Sequence, residues 1–255
     1  MRIIYCSLLV IFFSCSDSGK ESTLSNDFNK DTLSLQSDSI KAEPIEKQES
    51  YIIDTLEQSI IDAGLINIHE IDSSILVDLK YSTKDNFMEK DVYGHMTRAY
   101  LQKEVAKDLA QCQRYLKSKD SSLTLLIYDA VRPRSVQQYM WDILDMPIHE
   151  KTKFVSNPKN GSLHNYGCAV DLTIAELNGQ AIDMGAGYDD SRKIAYPRHE
   201  AAYLDSGLLD TNHIANRELL REVMKAGGFW NIQTEWWHFN RYNRDKAKSL
   251  FNIIE

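Results

Sequence analysis

The sequence predicts an α+β fold built as one domain, rather than a doubly wound parallel sheet. Strand and helix patterns are mixed without a βαβ rhythm, and no glycine-rich phosphate loop follows a strand. A hydrophobic fraction of 43%, with four Trp and thirteen Tyr in 255 residues, suffices for one sizeable core.

The first segment stands apart. Behind Arg2, the apolar run from Ile3 to Phe13 is too short to cross a membrane and suits the core of a secretory signal. Ser14-Cys15 is similar to the end of a bacterial lipobox, which makes residues 1–14 the expected signal and Cys15 the acylated first residue; cleavage at an ordinary small-residue site is the other reading. Residues 15–50 are rich in Ser, Asp, Lys and Glu with almost no aromatics, so they cannot bury enough apolar area to offset chain entropy and read as a tether. The expected location is therefore exported and periplasmic, with membrane contact only through the lipid on Cys15. The folded domain is expected over 51–255. Removal of Cys6 and acylation of Cys15 leave Cys112 and Cys168, either as a bridge or as two small buried hydrophobes.

Within the domain, "SSILVDLKY" places Ile75, Val77 and Leu79 on one parity and reads as a strand. "LQKEVAKDLAQCQRYL" repeats Leu101, Val105, Leu109, Cys112 and Leu116 at helical spacing. "LTLLIYDAVRP" is an apolar strand stopped at Pro133, and "SVQQYMWDIL" follows as a short helix with Ser135 as its candidate cap. "SLHNYGCAVDLTI" reads as the entry to a buried strand, with Gly167 as backbone room between its two polar residues. "NRELLREVMKAGGF" is a helix with a glycine stop at Gly227-Gly228, and "EWWHFN" supplies a final aromatic strand.

A net charge of −8 without any basic stripe argues against a nucleic-acid surface. The informative polar residues lie elsewhere. His164, Asp171 and His238 offer two imidazoles and a carboxylate, a set zinc accepts, although it also arises by chance in a chain of this length. Three protein ligands leave a catalytic zinc one open position, so Glu235 is better cast as the base that takes a proton from attacking water. In a regular strand Glu235 and His238 would face opposite sides, so they share a site only where the strand is bulged or ends. His69, His95, His149, His199 and His213 read as ordinary core or surface histidines. Arg132, locked against Pro133, is either a strand-end partner of Asp129 or a guanidinium held for a developing oxyanion.

Five motifs in order, "DLKYSTKDNF", "YDAVRP", "SLHNYGCAVDLTI", "DMGAGYD" and "EWWH", resemble the D-alanyl-D-alanine dipeptidases of the VanX type, zinc D,D-peptidases whose fold is shared with the Hedgehog signalling domain. The resemblance runs from Ile71 to Asn240 and implies a small, mainly antiparallel sheet with flanking helices. It implies one zinc on His164, Asp171 and His238, Glu235 as general base and acid, and Arg132 facing the tetrahedral intermediate. It also brings forward Ser162 and Asp189 as substrate-binding positions, with Asp189 suited to the ammonium end of a dipeptide and Ser162 to the carboxylate end. The implied reaction is hydrolysis of D-Ala-D-Ala to two D-alanines in cell-wall peptide turnover. A D,D- or L,D-carboxypeptidase acting on peptidoglycan stems and a non-catalytic zinc-containing binding module are the alternatives. Two departures bear on substrate fit: "NFMEKDVYG" lacks the family's Thr-Gly after Asn-Phe, and the stretch after Asp189, "DSRKIAYPRHEAA", is longer than the family's.

Overall fold

The computed structural model describes residues 53–255. The expected signal, Cys15 and the tether lie outside the described residues. Helix α1 (Thr55–Asp62) starts where the Asp54 side chain accepts from the Glu57 amide at 2.9 Å. Strand β1 (Ile66–Asn67) follows, and then β2 (Leu76–Val77), β3 (Tyr100–Leu101), α2 (Lys103–Lys119), β4 (Leu123–Asp129), α3 (Arg134–Ile143) and α4 (Ile148–Lys151). The second half holds β5 (Ala169–Glu176), α5 (Glu200–Asp205), α6 (Thr211–Ala226), β6 (Trp230–Asn231), β7 (His238–Asn240) and α7 (Arg244–Leu250).

Strands β2, β4, β5, β7 and β6 form one sheet in that order, antiparallel except for the β2–β4 pair, while β1 and β3 make a separate antiparallel ribbon. Helix α2 buries Val105, Leu109, Cys112 and Leu116 along one stripe and packs on β4 and α6. The helical spacing in the sequence extends back to Leu101, but Leu101 pairs with Ile66 in the ribbon, so the helix starts two residues later. Cys112 and Cys168 are both buried and free, and burial pushes each thiol up to about 12.

Other expectations are corrected by tertiary pairing. The strand expected over 73–81 shrinks to Leu76–Val77, because β4 offers it only two partners before the chain turns through a 3-10 helix at Lys80–Ser82. Ser135 is not a cap: α3 already includes it, and the Arg134 amide is met by the carbonyl of Ile254 at 2.8 Å. Helix α6 begins at Thr211, capped by Asp210, and ends at Gly227, where a Cβ would stand 2.2 Å from the Asp108 carbonyl oxygen. The glycine thus stops α6 and lets it approach α2.

The register positions the polar residues. Asp129 lies opposite Asp171, and Asp171 opposite His238, so a row runs across β4, β5 and β7 on one face. An irregularity between Ile127 and Asp129 brings Asp129 into that row.

Candidate metal centre and active-site cavity

His164 reaches the row from a 3-10 turn, His164–Tyr166, that precedes β5. Gly167 closes this turn in the left-handed region at φ +63°, where a Cβ would meet Leu65 Cδ2 at 2.8 Å. Its function is therefore to turn the chain into β5. Asn165 staples the turn: its Nδ2 donates to the Arg132 carbonyl at 2.7 Å and to Gln137 Oε1 at 2.8 Å, while its Oδ1 accepts from the Ser162 amide at 2.6 Å.

Three donor atoms meet at one point. His164 Nε2, His238 Nδ1 and Asp171 Oδ1 are separated by 3.2, 2.9 and 3.3 Å. A tetrahedral zinc with bonds near 2.05 Å has donor-to-donor edges of about 3.3 Å. The far side of each ring fixes its proton. His164 Nδ1–H donates to the Ala130 carbonyl at 2.6 Å, and His238 Nε2–H donates to Asn240 Oδ1 at 2.9 Å. Neutral rings so held present lone pairs at Nε2 and Nδ1, and these converge with a carboxylate oxygen. Positive charge satisfies that arrangement, as a proton held between His238 and Asp171 or as a metal ion, and the residues fit zinc.

The electrostatics call for positive charge at the same point, where a bound metal would displace the proton of His238. Burial works against charge on His238, yet the Asp171 carboxylate raises its pKa to about 9; burial also opposes ionisation of Asp171, whose pKa the two imidazoles hold well below the usual carboxylate range. The other Asp171 oxygen accepts from the Tyr188 hydroxyl at 3.1 Å and lies 3.8 Å from Arg132 Nη2.

Arg132 is 5% exposed, donates from Nε to Asp129 Oδ2 at 3.0 Å, and lies with its guanidinium carbon 5.0 Å from the Tyr81 ring centre. The Tyr93 hydroxyl donates to the other Asp129 oxygen at 2.7 Å. Arg132 is thus both a partner of Asp129 and a member of the site.

Glu235 stands before the strand begins, since β7 starts only at His238, and its carboxylate lies 3.9 Å from His238 Nδ1. The condition set by strand alternation is met by an irregular loop. Asn231 holds that loop, its Nδ2 donating to the carbonyls of Glu235 and His238 at 2.8 Å each. Burial raises the Glu235 carboxyl against the pull of His238, and Asp171 adds to the rise.

A cavity of about 350 Å³ opens over the three donors and is walled by Arg132, Ser162, Asp189 and Glu235 among others. That volume lies at the small end of ligand pockets. Asp189 has a positive φ of 59°, and both its carboxylate oxygens accept from the Tyr81 hydroxyl, at 3.1 and 3.0 Å. Burial raises its pKa well above the carboxylate range, Asp171 adds to this, and the Tyr81 hydrogen bond opposes it. The Ser162 hydroxyl donates to Gln137 Oε1 at 2.9 Å. Beneath the loop that carries Asp189, the 1% exposed Arg217 donates to the carbonyls of Met184 and Ile194 at 2.7 and 3.1 Å.

All seven residues singled out in the sequence therefore line one cavity. Tyr81, Tyr188, Asn231, Asn240 and Arg217 have no role assignable from the sequence, although all but Asn231 lie inside the quoted stretches.

A family model described as "D-ala-D-ala dipeptidase" (Peptidase_M15) matches residues 61–255. A D-alanyl-D-alanine dipeptidase of Escherichia coli (strain K12) is 33% identical over 175 residues, 69% of this chain and 83% of that protein. One from Streptomyces coelicolor is 30% identical over 201 residues, 73% of this chain and 95% of that protein. Among solved structures, the vancomycin-resistance D,D-pentapeptidase VanY in complex with Zn(II) aligns with a TM-score of 0.37 and 12% identity, over 60% of this chain and 78% of that one.

Proposed function

The chain belongs to the D-Ala-D-Ala dipeptidase family of M15 peptidases, and from that premise we propose that it hydrolyses the free D-alanyl-D-alanine dipeptide to two D-alanines, with zinc as cofactor. The observation that carries this reading is the convergence of two imidazole lone pairs and a carboxylate oxygen beside Glu235 at the wall of a small cavity. His164, Asp171 and His238 would hold the zinc, which when bound would supply Lewis acidity for the scissile carbonyl and for water.

The rest falls to the chain. Glu235 accepts the proton of the attacking water and returns it to the leaving amine. Arg132 donates to the oxygen that becomes negative, and Asp129 and Tyr81 already hold its guanidinium in place, so little reorganisation accompanies the step. Asp189, oriented by Tyr81, receives the substrate ammonium, and Ser162 is a wall contact.

Glu235→Ala is expected to keep one zinc per chain and to lose kcat by about a thousandfold, within the usual range for a positioned acid-base group. Chelation is expected to abolish wild-type activity and zinc to restore it. Wild-type rates in the variant would remove Glu235 from the mechanism. Rates on the free dipeptide and on a pentapeptide stem separate the dipeptidase from a carboxypeptidase, and the dipeptide is expected to be preferred.

The same proposal puts the domain on the exported side of a membrane, anchored through Cys15. Cys15→Ser is then expected to move the protein from the membrane fraction to the soluble one, and an unchanged distribution would reject the anchor.

A further inference from the structure

Cations that wall the cavity are few. Arg132 is committed to Asp129, with Nε at 3.0 Å, and Lys153 to Glu150, with Nζ at 2.7 Å. The third is Arg244, at the start of α7, and among the described residues no carboxylate lies within ion-pair distance of it. Its Nη1 and Nη2 donate instead to the carbonyls of Asn160 and Gly161, at 2.5 and 3.1 Å. A guanidinium has five N–H donors, so three remain, one peptide away from Ser162. Helix α7 fixes the position, since Asn243 caps it by accepting from the Lys246 amide at 2.8 Å.

The Ser162 hydroxyl is already engaged in this network. Its proton goes to Gln137 Oε1, and the orientation of Gln137 is set twice: Nε2 donates to the Ser156 carbonyl at 2.7 Å, and Oε1 also accepts from Asn165 at 2.8 Å. To donate to a carboxylate, Ser162 must turn away from Gln137, and a neutral hydroxyl carries no charge to match one. A zwitterionic dipeptide needs donors at its acidic end as well as acceptors at its ammonium end.

We propose that Arg244 receives the C-terminal carboxylate of the substrate beside Ser162, which makes a free C-terminus the feature this enzyme selects. The assignment rests on the peptidase reading above and names the residue that sets its specificity. It adds a charged residue from outside the five motifs to Ser162, the position the resemblance implies for the carboxylate end.

The test compares KM and kcat for D-Ala-D-Ala and for its C-terminal amide in the full chain loaded with zinc. Wild type is expected to prefer the acid. R244Q is expected to raise KM for the acid on the order of 10- to 100-fold, the loss of a charge-assisted hydrogen bond, with kcat and the KM for the amide little changed. R244K, which keeps the charge, is expected to retain most of the preference, R244E to invert it, and K153M to leave it intact. Equal losses on acid and amide in R244Q would mean that Arg244 only holds the Asn160–Gly161 loop, and would overturn the assignment, as would an unchanged KM for the acid. A wild type that cleaves the acid no faster than buffer would instead sink the peptidase reading itself.

Discussion

Asn240 illustrates how much of the metal centre depends on residues that are not ligands. Its Oδ1 takes the His238 Nε2 proton, which leaves the Nδ1 lone pair for the metal. Asn240→Ala is expected to weaken zinc binding by roughly 10- to 100-fold, the usual effect of losing such a partner, as measured by competition with a chromophoric chelator. Unchanged affinity would show that the ring is oriented by Asp171 alone. The ligands were legible in the sequence because imidazole and carboxylate are the groups zinc takes, and because their motifs occur in a known order. Asn240, Asn231 and Gln137 were not, since an amide becomes specific only through what it touches. The same limit applied to Ser162, whose hydroxyl proton is spoken for by a residue on α3, a fact without trace in "SLHNYG".

At the scale of elements, length decided what could be read. Strands β4 and β5, of seven and eight residues, and helices α2 and α6, of seventeen and sixteen, are long enough to show a period. Strands β2, β6 and β7 have two or three residues, too few for any period, and exist because neighbouring strands offer partners. Gly227 belongs to this scale because it sets the distance between two helices. Gly227→Ala would force a Cβ to 2.4 Å from Cys112 Sγ as well as against the Asp108 carbonyl. The expected cost is about 1–3 kcal/mol, the usual range for overpacking a filled interior, read from denaturant or thermal unfolding with zinc content unchanged. An unaltered midpoint would mean that α2 and α6 separate without penalty.

For the whole molecule, the metal centre ties together a turn, a central strand and a loop-borne strand that are distant in sequence. Zinc binds only the folded arrangement, so at a free concentration a thousandfold above its Kd it adds about 4 kcal/mol of stability. Removing it is expected to lower Tm by on the order of 10 °C for a domain of this size, measured by scanning calorimetry with and without chelator. An equal Tm in both states would mean that the apoprotein holds the triad without help. By itself the sequence determined the α+β class and the family resemblance, and through that resemblance it named the candidate ligand trio and the candidate base. These rest on composition, residue chemistry and motif order, which are local or additive along the chain. Only the tertiary structure decided that Glu235 faces the same space as His238, that Asp129, Asp171 and His238 form one row, and that Arg244 stands beside Ser162. Register, loop path and the fate of each proton depend on contacts between residues far apart in sequence, and no stretch of sequence carries both partners.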